Sequence, residues 1–433
     1  MRRRAAFLVA VGTVLVLAFG ASSGAAATNT FSGTMLALYW SGSSHQICTG
    51  VKSTTTVAGA TTQTCTVTQA SGTCIQVSTA QNVVQRCEFT QTEVGSQNNR
   101  ALAIQIAVQK KTGPSGTQEV TQGVFIDQQN DDFSNFAIVG QGVRQALGRA
   151  EENGDDDDDE EYAAANLAST SLAPITQSQE SHQSIVVCQG GTISCKSDTG
   201  MNGNNSSNIL QALGQSEVAA KAPSITQLQN TEDQNNECFA IEDPLANMCA
   251  DVNQNTEGGR NVSRLLDPYR QFQSARKTLD GEQAQGNFEP FDGGLDHFVD
   301  QDGALKSDIW TSQNEVQIQR AVNTGLLDQS QHGPVRKGVF SRQTATDEDD
   351  WTGRQTSKQF QTNDGVAVGN QTNLLNYWCH TTGDCMISQL VNQDGEVTTN
   401  ECAPGGSGDF CEVFINCGNV TPPDTFIILE NGP

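Results

Sequence analysis

Five aspartates lie close together past the middle of the chain: Asp292, Asp296, Asp300, Asp302 and Asp308. Paired carboxylates on a strand face are what glycan cleavage requires, one giving a proton to the leaving oxygen while the other activates water or attacks. The chain holds 49 Asp plus Glu, so acids recur by composition alone and spacing singles out no pair. The run DHFVDQDG, residues 296–303, begins like a calcium-binding loop at Asp300 and Asp302-Gly303. In that alignment Phe298 falls on the first ligand position and Ile309 on the last, and neither can ligate a hard cation.

Other chemistry fares no better. G-x-S-x-G, the P-loop, G-x-G-x-x-G and H-E-x-x-H are all absent. The five histidines are His45, His182, His297, His332 and His380, and only His380 stands beside a cysteine, Cys379. No C-x-x-C occurs, so zinc spacing is missing. No catalytic, cofactor-binding or metal residue is assigned, no cofactor is implied, and the expectation is a protein that is not an enzyme.

Cysteine is the remaining reactive type. The thirteen form three groups: Cys48, Cys65, Cys74 and Cys87; Cys188, Cys195, Cys238 and Cys249; and Cys379, Cys385, Cys402, Cys411 and Cys417. CTVTQASGTC, CQGGTISC, CFAIEDPLANMC and CHTTGDC each enclose turn residues, as a bridged hairpin or coil corner would. Closing so short a loop contributes roughly 2–3 kcal/mol in the chain-entropy model. With pairing inside groups, the odd thiol belongs to the last five, where it is free or links two chains.

Disulfides need an oxidising compartment, and the first residues supply the route. Arg2, Arg3 and Arg4 precede an apolar run, Ala5 to Gly20, and then Ala25-Ala26-Ala27, a small-residue cleavage site. Residues 1–27 read as a signal peptide, and the mature chain starts at Thr28. Nothing later is long and apolar enough to span a bilayer, so no membrane insertion is expected. The formal net charge of −25 becomes more negative once those arginines are removed. Such a surface repels phosphate backbones and excludes nucleic acid as a partner. The place expected is extracellular or the cell surface.

The elements that carry these residues are strands. Only 36% of residues are hydrophobic and 6% aromatic, while glutamine slightly outnumbers the 41 glycines. The spacing Q-x-x-x-Q recurs, as at Gln105/Gln109, Gln141/Gln145, Gln211/Gln215, Gln313/Gln317, Gln355/Gln359 and Gln389/Gln393. That spacing fits one face of a strand or of a helix. Intervening β-branched residues and Gly, as in AIQIAVQ and FAIVGQGVRQ, choose the strand. Runs such as FVDQDGALKSD and LVNQDGEVTTN read as a strand followed by an Asn/Asp/Gly turn. Stacked rungs about 4.8 Å apart would let an inward Gln bond to the Gln of the next rung. The other reading coats the solvent face of ordinary strands with Gln, and the irregular repeat length leaves both open.

Three regions follow from composition: an N-terminal β-repeat region, 28–148; an acidic linker or loop, 149–162, RAEENGDDDDDEEY; and a C-terminal β-repeat region, 163–433. In the last, the charged patch 264–281 predicts a short helix after Pro268.

NRALAIQ (Asn99, Ala101, Gln105) and NFAIVGQ (Asn135, Ala137, Gln141) fit N-x-A-x-x-x-Q, with NSSNILQ (Asn205, Ser207, Gln211) a looser copy. The pattern resembles the second half of the curlin repeat of secreted bacterial curli fibre subunits. The resemblance implies strand–turn–strand rungs that polymerise into adhesive fibres. The family's first half, S-x5-Q-x-G-x-x-N, is not intact here, and the cysteine load departs from it.

The expectation is therefore an all-β, repeat-rich chain, β-solenoid- or β-helix-like, with disulfide-stapled loops; two or more antiparallel β domains are the alternative. The role expected is a secreted structural or adhesive surface or matrix protein. Its partners would be itself, through rung-end stacking or an intermolecular disulfide, or surface polysaccharide. The runner-up is a monomeric carbohydrate-binding or carbohydrate-active β-helix protein.

Overall fold

The computed structural model describes residues 44–93, 97–130, 133–148, 173–190, 203–220, 222–230, 249–256, 259–276, 280–286, 294–322, 326–332, 336–363, 366–372, 375–380, 385–395, 399–402, 406–407, 413–417 and 426–431. The signal peptide and the acidic run 149–162 lie outside them.

The described chain is strand with no helix. β1 (His45–Cys48) and β2 (Val51–Val57) form a first coil, and β3 (Ala60–Val67) and β4 (Ser71–Ser78) a second. Three longer pairs follow: β5 (Asn82–Glu93) and β6 (Asn99–Lys111), β7 (Gly116–Asn130) and β8 (Asn135–Leu147), β9 (Ile175–Gln189) and β10 (Asn205–Ala220). Then come β11 (Ser224–Asn230), β12 (Cys249–Asn255), β13 (Arg260–Arg276), β14 (Asp280–Gly286) and β15 (Gly294–Val322). The remainder are β16 (Leu326–His332), β17 (Arg336–Asn363), β18 (Val366–Thr372), β19 (Leu375–His380), β20 (Cys385–Gly395), β21 (Thr399–Cys402), β22 (Gly406–Ser407), β23 (Val413–Cys417) and β24 (Phe426–Asn431).

Alternate strands stack into two parallel sheets. In the first, β3, β5, β7 and β9 pair in turn, and β9 then pairs with both β11 and β12. In the second, β4, β6, β8, β10 and β13 pair in turn. The long strands β15 and β17 serve both sheets, with their register breaking between Gln301 and Lys306. Neighbours within the stacks are parallel, so the alternative of separate antiparallel domains does not hold. The exceptions are local: β1 with β4, β2 with β3, and β21 with β22.

β7 pairs with β9 and β8 with β10 across residues 149–162. One expectation is corrected by the pairing. The patch after Pro268 is strand: Tyr269, Gln271 and Gln273 are all buried at alternate positions, the period of a pleat. Pro268 lacks an N–H, and the ladder between β10 and β13 skips that position while the one to β15 continues.

Between the sheets, columns of one residue per coil form the apolar part of the core. Val67, Phe89, Ile126, Val187, Val252 and Val299 are successive partners in the first sheet. Cys74, Ala103, Val139, Ile209 and Leu265 are their counterparts in the second, and all of these are buried. Burying a Val, Leu, Ile or Phe side chain contributes about 1.5–3 kcal/mol. β6 is buried on both faces over most of its length. Ala101, Ala103 and Gln105 point between the sheets, while Leu102, Ile104, Ile106 and Val108 join Ile75 and Val77 in a second cluster on the other face.

Candidate functional site

The most organised polar feature is the space between the sheets. A carboxamide has two N–H donors and one carbonyl oxygen, and the coils use both kinds of group. Gln141 Nε2 donates to Gln105 Oε1 at 3.0 Å and, across the interior, to the backbone carbonyl of Ser184 at 2.9 Å. Gln105 does the same with Gln76 Oε1 and the Gly123 carbonyl, each at 3.0 Å. One bond therefore runs along the stack and one ties the two sheets together.

The pattern repeats in parallel columns. Gln128 donates to Gln91, Gln189 to Gln128 and Gln254 to Gln189, each at 2.7 Å, and Gln301 to Gln254 at 2.8 Å. Gln145 donates to Gln109 at 2.9 Å, Gln215 to Gln145 and Gln271 to Gln215 at 2.8 Å, and Gln317 to Gln271 at 3.1 Å. Every one of these Gln residues is nearly or wholly buried. These glutamines form an interior ladder and not a solvent coat. In each case the later coil donates to the earlier one. A shorter column of asparagines at the corner runs the other way: Asn99 donates to Asn135, Asn135 to Asn205 and Asn205 to Asn261, each at 3.0 Å.

Irregular spacing is absorbed at the corners. Partners in one column are 37, 61, 65 and 47 residues apart. Positive-φ glycines close two of the corners, Gly148 after β8 and Gly190 after β9.

Acids interrupt the columns at two places. Asp267, fully buried, takes the position that is Gln313 in the next coil. Glu217 is fully buried, accepts from Gln273 Nε2 at 3.0 Å, and faces Leu147 in the preceding coil. Its Oε1 has no hydrogen-bond partner among the described residues. Burial pushes its carboxyl well above the usual carboxylate range, against the pull of the Gln273 hydrogen bond. Asp127, also buried, is raised to about 6 by the same cause, with the Gln129 side chain pulling the other way.

The first coils carry two disulfides. Cys48 bonds Cys65 and Cys74 bonds Cys87. The enclosed pair Cys65 and Cys74 are therefore not joined to each other. Cys48 and Cys74 are register partners in one sheet, Cys65 and Cys87 in the other, and both bonds cross the interior. Cys188 is also disulfide-bonded. Cys249, Cys379, Cys385, Cys402 and Cys417 lie on strands, with Cys379 and Cys417 register partners. Cys195, Cys238 and Cys411 fall outside the described residues.

Most of the acids first considered for chemistry share one strand. Asp296, Asp300 and Asp302 lie on β15 at positions alternating with buried Val299 and Gln301. Asp308 pairs with Arg260. Asp292 lies outside the described residues. Among the described residues no three His, Cys, Asp or Glu side chains converge to hold a metal, and no helix is long and apolar enough to cross a membrane. The sequence reading missed Asn261, Asp267 and Glu217 as column members. NVSRLLDPYRQ carries the signal for two of them, with Asn261, Ser263 and Asp267 at the spacing of Asn135, Ala137 and Gln141.

No family model, curated protein or solved structure matches the chain.

Proposed function

We propose that the chain is a β-solenoid and serves as an exported structural or adhesive element at a cell surface or in an extracellular matrix, without catalytic activity. The observation that carries this reading is the set of amide columns. They fill the interior with bonds that specify register and orientation, which suits a load-bearing stack. At about 4.8 Å per coil the described coils make a rod on the order of 40–50 Å long. The residues of the curlin-like motif support the same reading. Asn99, Ala101 and Gln105 are register partners of Asn135, Ala137 and Gln141 on adjacent strands of one sheet. In a fibre subunit this is where identical rungs would lie.

Negative-stain micrographs of oxidised residues 28–433, followed over days at rising concentration, test the proposal. Fibres or end-to-end chains are expected. Uniform single particles throughout would remove the self-assembling version and favour the reading as a monomeric carbohydrate-binding protein, to be pursued by glycan-array screening.

A further inference from the structure

The N-terminal end of the stack differs from its body in four ways. First, its strands reverse. β1 pairs antiparallel with β4 and β2 antiparallel with β3, through a tight turn at Ala58 and Gly59 with φ of 50° and 86°. Positive φ at both central residues is the hairpin geometry that brings a strand straight back along its neighbour. A copy of the chain stacking in the direction of the body would meet strands running the wrong way.

Second, the amide columns end there. Gln63 accepts from Gln85 at 2.8 Å, yet its own Nε2 donates to the backbone carbonyls of His45 and Val77, each at 3.3 Å. Opposite it in β2 stands Thr54, which has no carboxamide. Gln76 accepts from Gln105 and donates to the Arg86 carbonyl at 2.9 Å. Gln46, its register partner in β1, is occupied by other groups. Its Nε2 donates to the Thr64 carbonyl at 2.7 Å, and its Oε1 accepts from Thr54 Oγ1 at 2.8 Å. Among the described residues no Gln-to-Gln side-chain bond joins the second coil to the first.

Third, the coil is fastened. Cys48–Cys65 joins the first coil to the second, and Cys74–Cys87 joins the second to the third. Fourth, the outermost strand is polar and open to solvent. All seven residues of β2, VKSTTTV, are exposed, with Val51 at 78% and Val57 at 72%. Lys52 sits on that strand, and a charged residue on an edge opposes pairing with another chain.

We infer that β1 and β2 are a built-in stop. They close the N-terminal end against addition of a second copy, so assembly proceeds only away from it. Only the identity of what assembles rests on the function proposed above.

The test uses the full mature chain, oxidised, with C48S, C65S, Thr54→Pro and Thr55→Pro combined to detach the stop. Adjacent N–H groups on a strand point to opposite sides, so the pair of prolines removes one that faces β3 and disrupts the ladder. Sedimentation velocity is run on this variant and on the unmodified chain over the same concentration range. The variant is expected to associate at a concentration at least tenfold lower, into end-to-end particles in micrographs. A variant that retains hydrogen-exchange protection in β6 to β9 and sediments like the unmodified chain overturns the inference. If the prolines unfold the chain, C48S/C65S alone decides: association above the unmodified level supports the stop, and none overturns it. An unmodified chain that stays monomeric while the variants associate leaves the stop standing and removes self-assembly from the proposed function. An unmodified chain that associates as readily as the variants removes the stop alone.

Discussion

Gln141 sits 36 residues after Gln105 and donates to its Oε1 at 3.0 Å, while its own Oε1 accepts from Gln211, 70 residues further on, at 3.1 Å. One side chain thus joins three coils along the stack and, through the Ser184 carbonyl, both sheets.

Replacing that side chain by an apolar one of similar size should be costly. Gln141→Leu removes the donor to Gln105 and Ser184 and the acceptor for Gln211, all buried. At roughly 1–3 kcal/mol per orphaned group the loss for three groups is about 3–9 kcal/mol. The same change at exposed Gln69 should stay within about 0.5 kcal/mol. Denaturant midpoints of the two variants measure the difference, and equal midpoints would count against the columns as a source of stability.

Buried acids set a pH dependence. Glu217 and Asp127 hold their protons in the folded chain above the pH at which the unfolded chain releases them, near 4. Between those limits the folded state binds more protons, so stability falls as pH rises. For Asp127 the fall runs from about 4 to about 6; for Glu217 it begins near 4.5 and extends well above. Glu217→Gln and Asp127→Asn should each flatten the fall in their own window. Denaturant unfolding at steps from pH 4 to 8 reads the slope, and variants that keep the full slope would show these carboxyls to be uninvolved.

Cutting the acidic run should not divide the molecule. With β7 paired to β9 and β8 to β10, a chain nicked within residues 149–162 holds together through the sheets. Gel filtration after limited proteolysis should give the intact elution volume, with two fragments separating only in denaturant. Separation under native conditions would contradict the pairing.

Reduction should loosen one end first. Cys48–Cys65 and Cys74–Cys87 close loops of 17 and 13 residues' separation, each contributing about 3 kcal/mol in the chain-entropy model. Hydrogen exchange with and without thiol should show lost protection in β1 to β5 while β6 to β10 stay protected. Uniform loss would mean that the stack unfolds as one unit.

The strand character of this chain is legible because alternation of β-branched residues with Gln is local. Which face turns inward is not. In β6 both faces are buried, Ile104 on one and Gln105 on the other, so hydrophobicity does not mark the interior. The repeat is obscured for a different reason. Gln105, Gln141 and Gln211 occupy one column, but corner insertions make the steps 36 and 70 residues, and no fixed period survives. Pro268 and the charges around it suggest a helix, yet neighbouring strands on both sides impose their pleat. The Cys48–Cys65 disulfide depends on the reversal of β1, which sets Cys48 across from Cys65, and no spacing announces that reversal.

The common direction of the Gln columns has an electrostatic result. Each carboxamide is a dipole of about 3.5 D, like a peptide unit. Among the described residues the later coil donates to the earlier, so the carbonyl ends point toward the C-terminal coils and the amide ends toward β1. The asparagine column, pointing the other way, offsets only part of the sum. The stack is thereby polarised along its length, its two ends differing in sign as the ends of a helix do, and the carbonyls of His45 and Val77 stand at the pole where the Gln63 amide requires an acceptor.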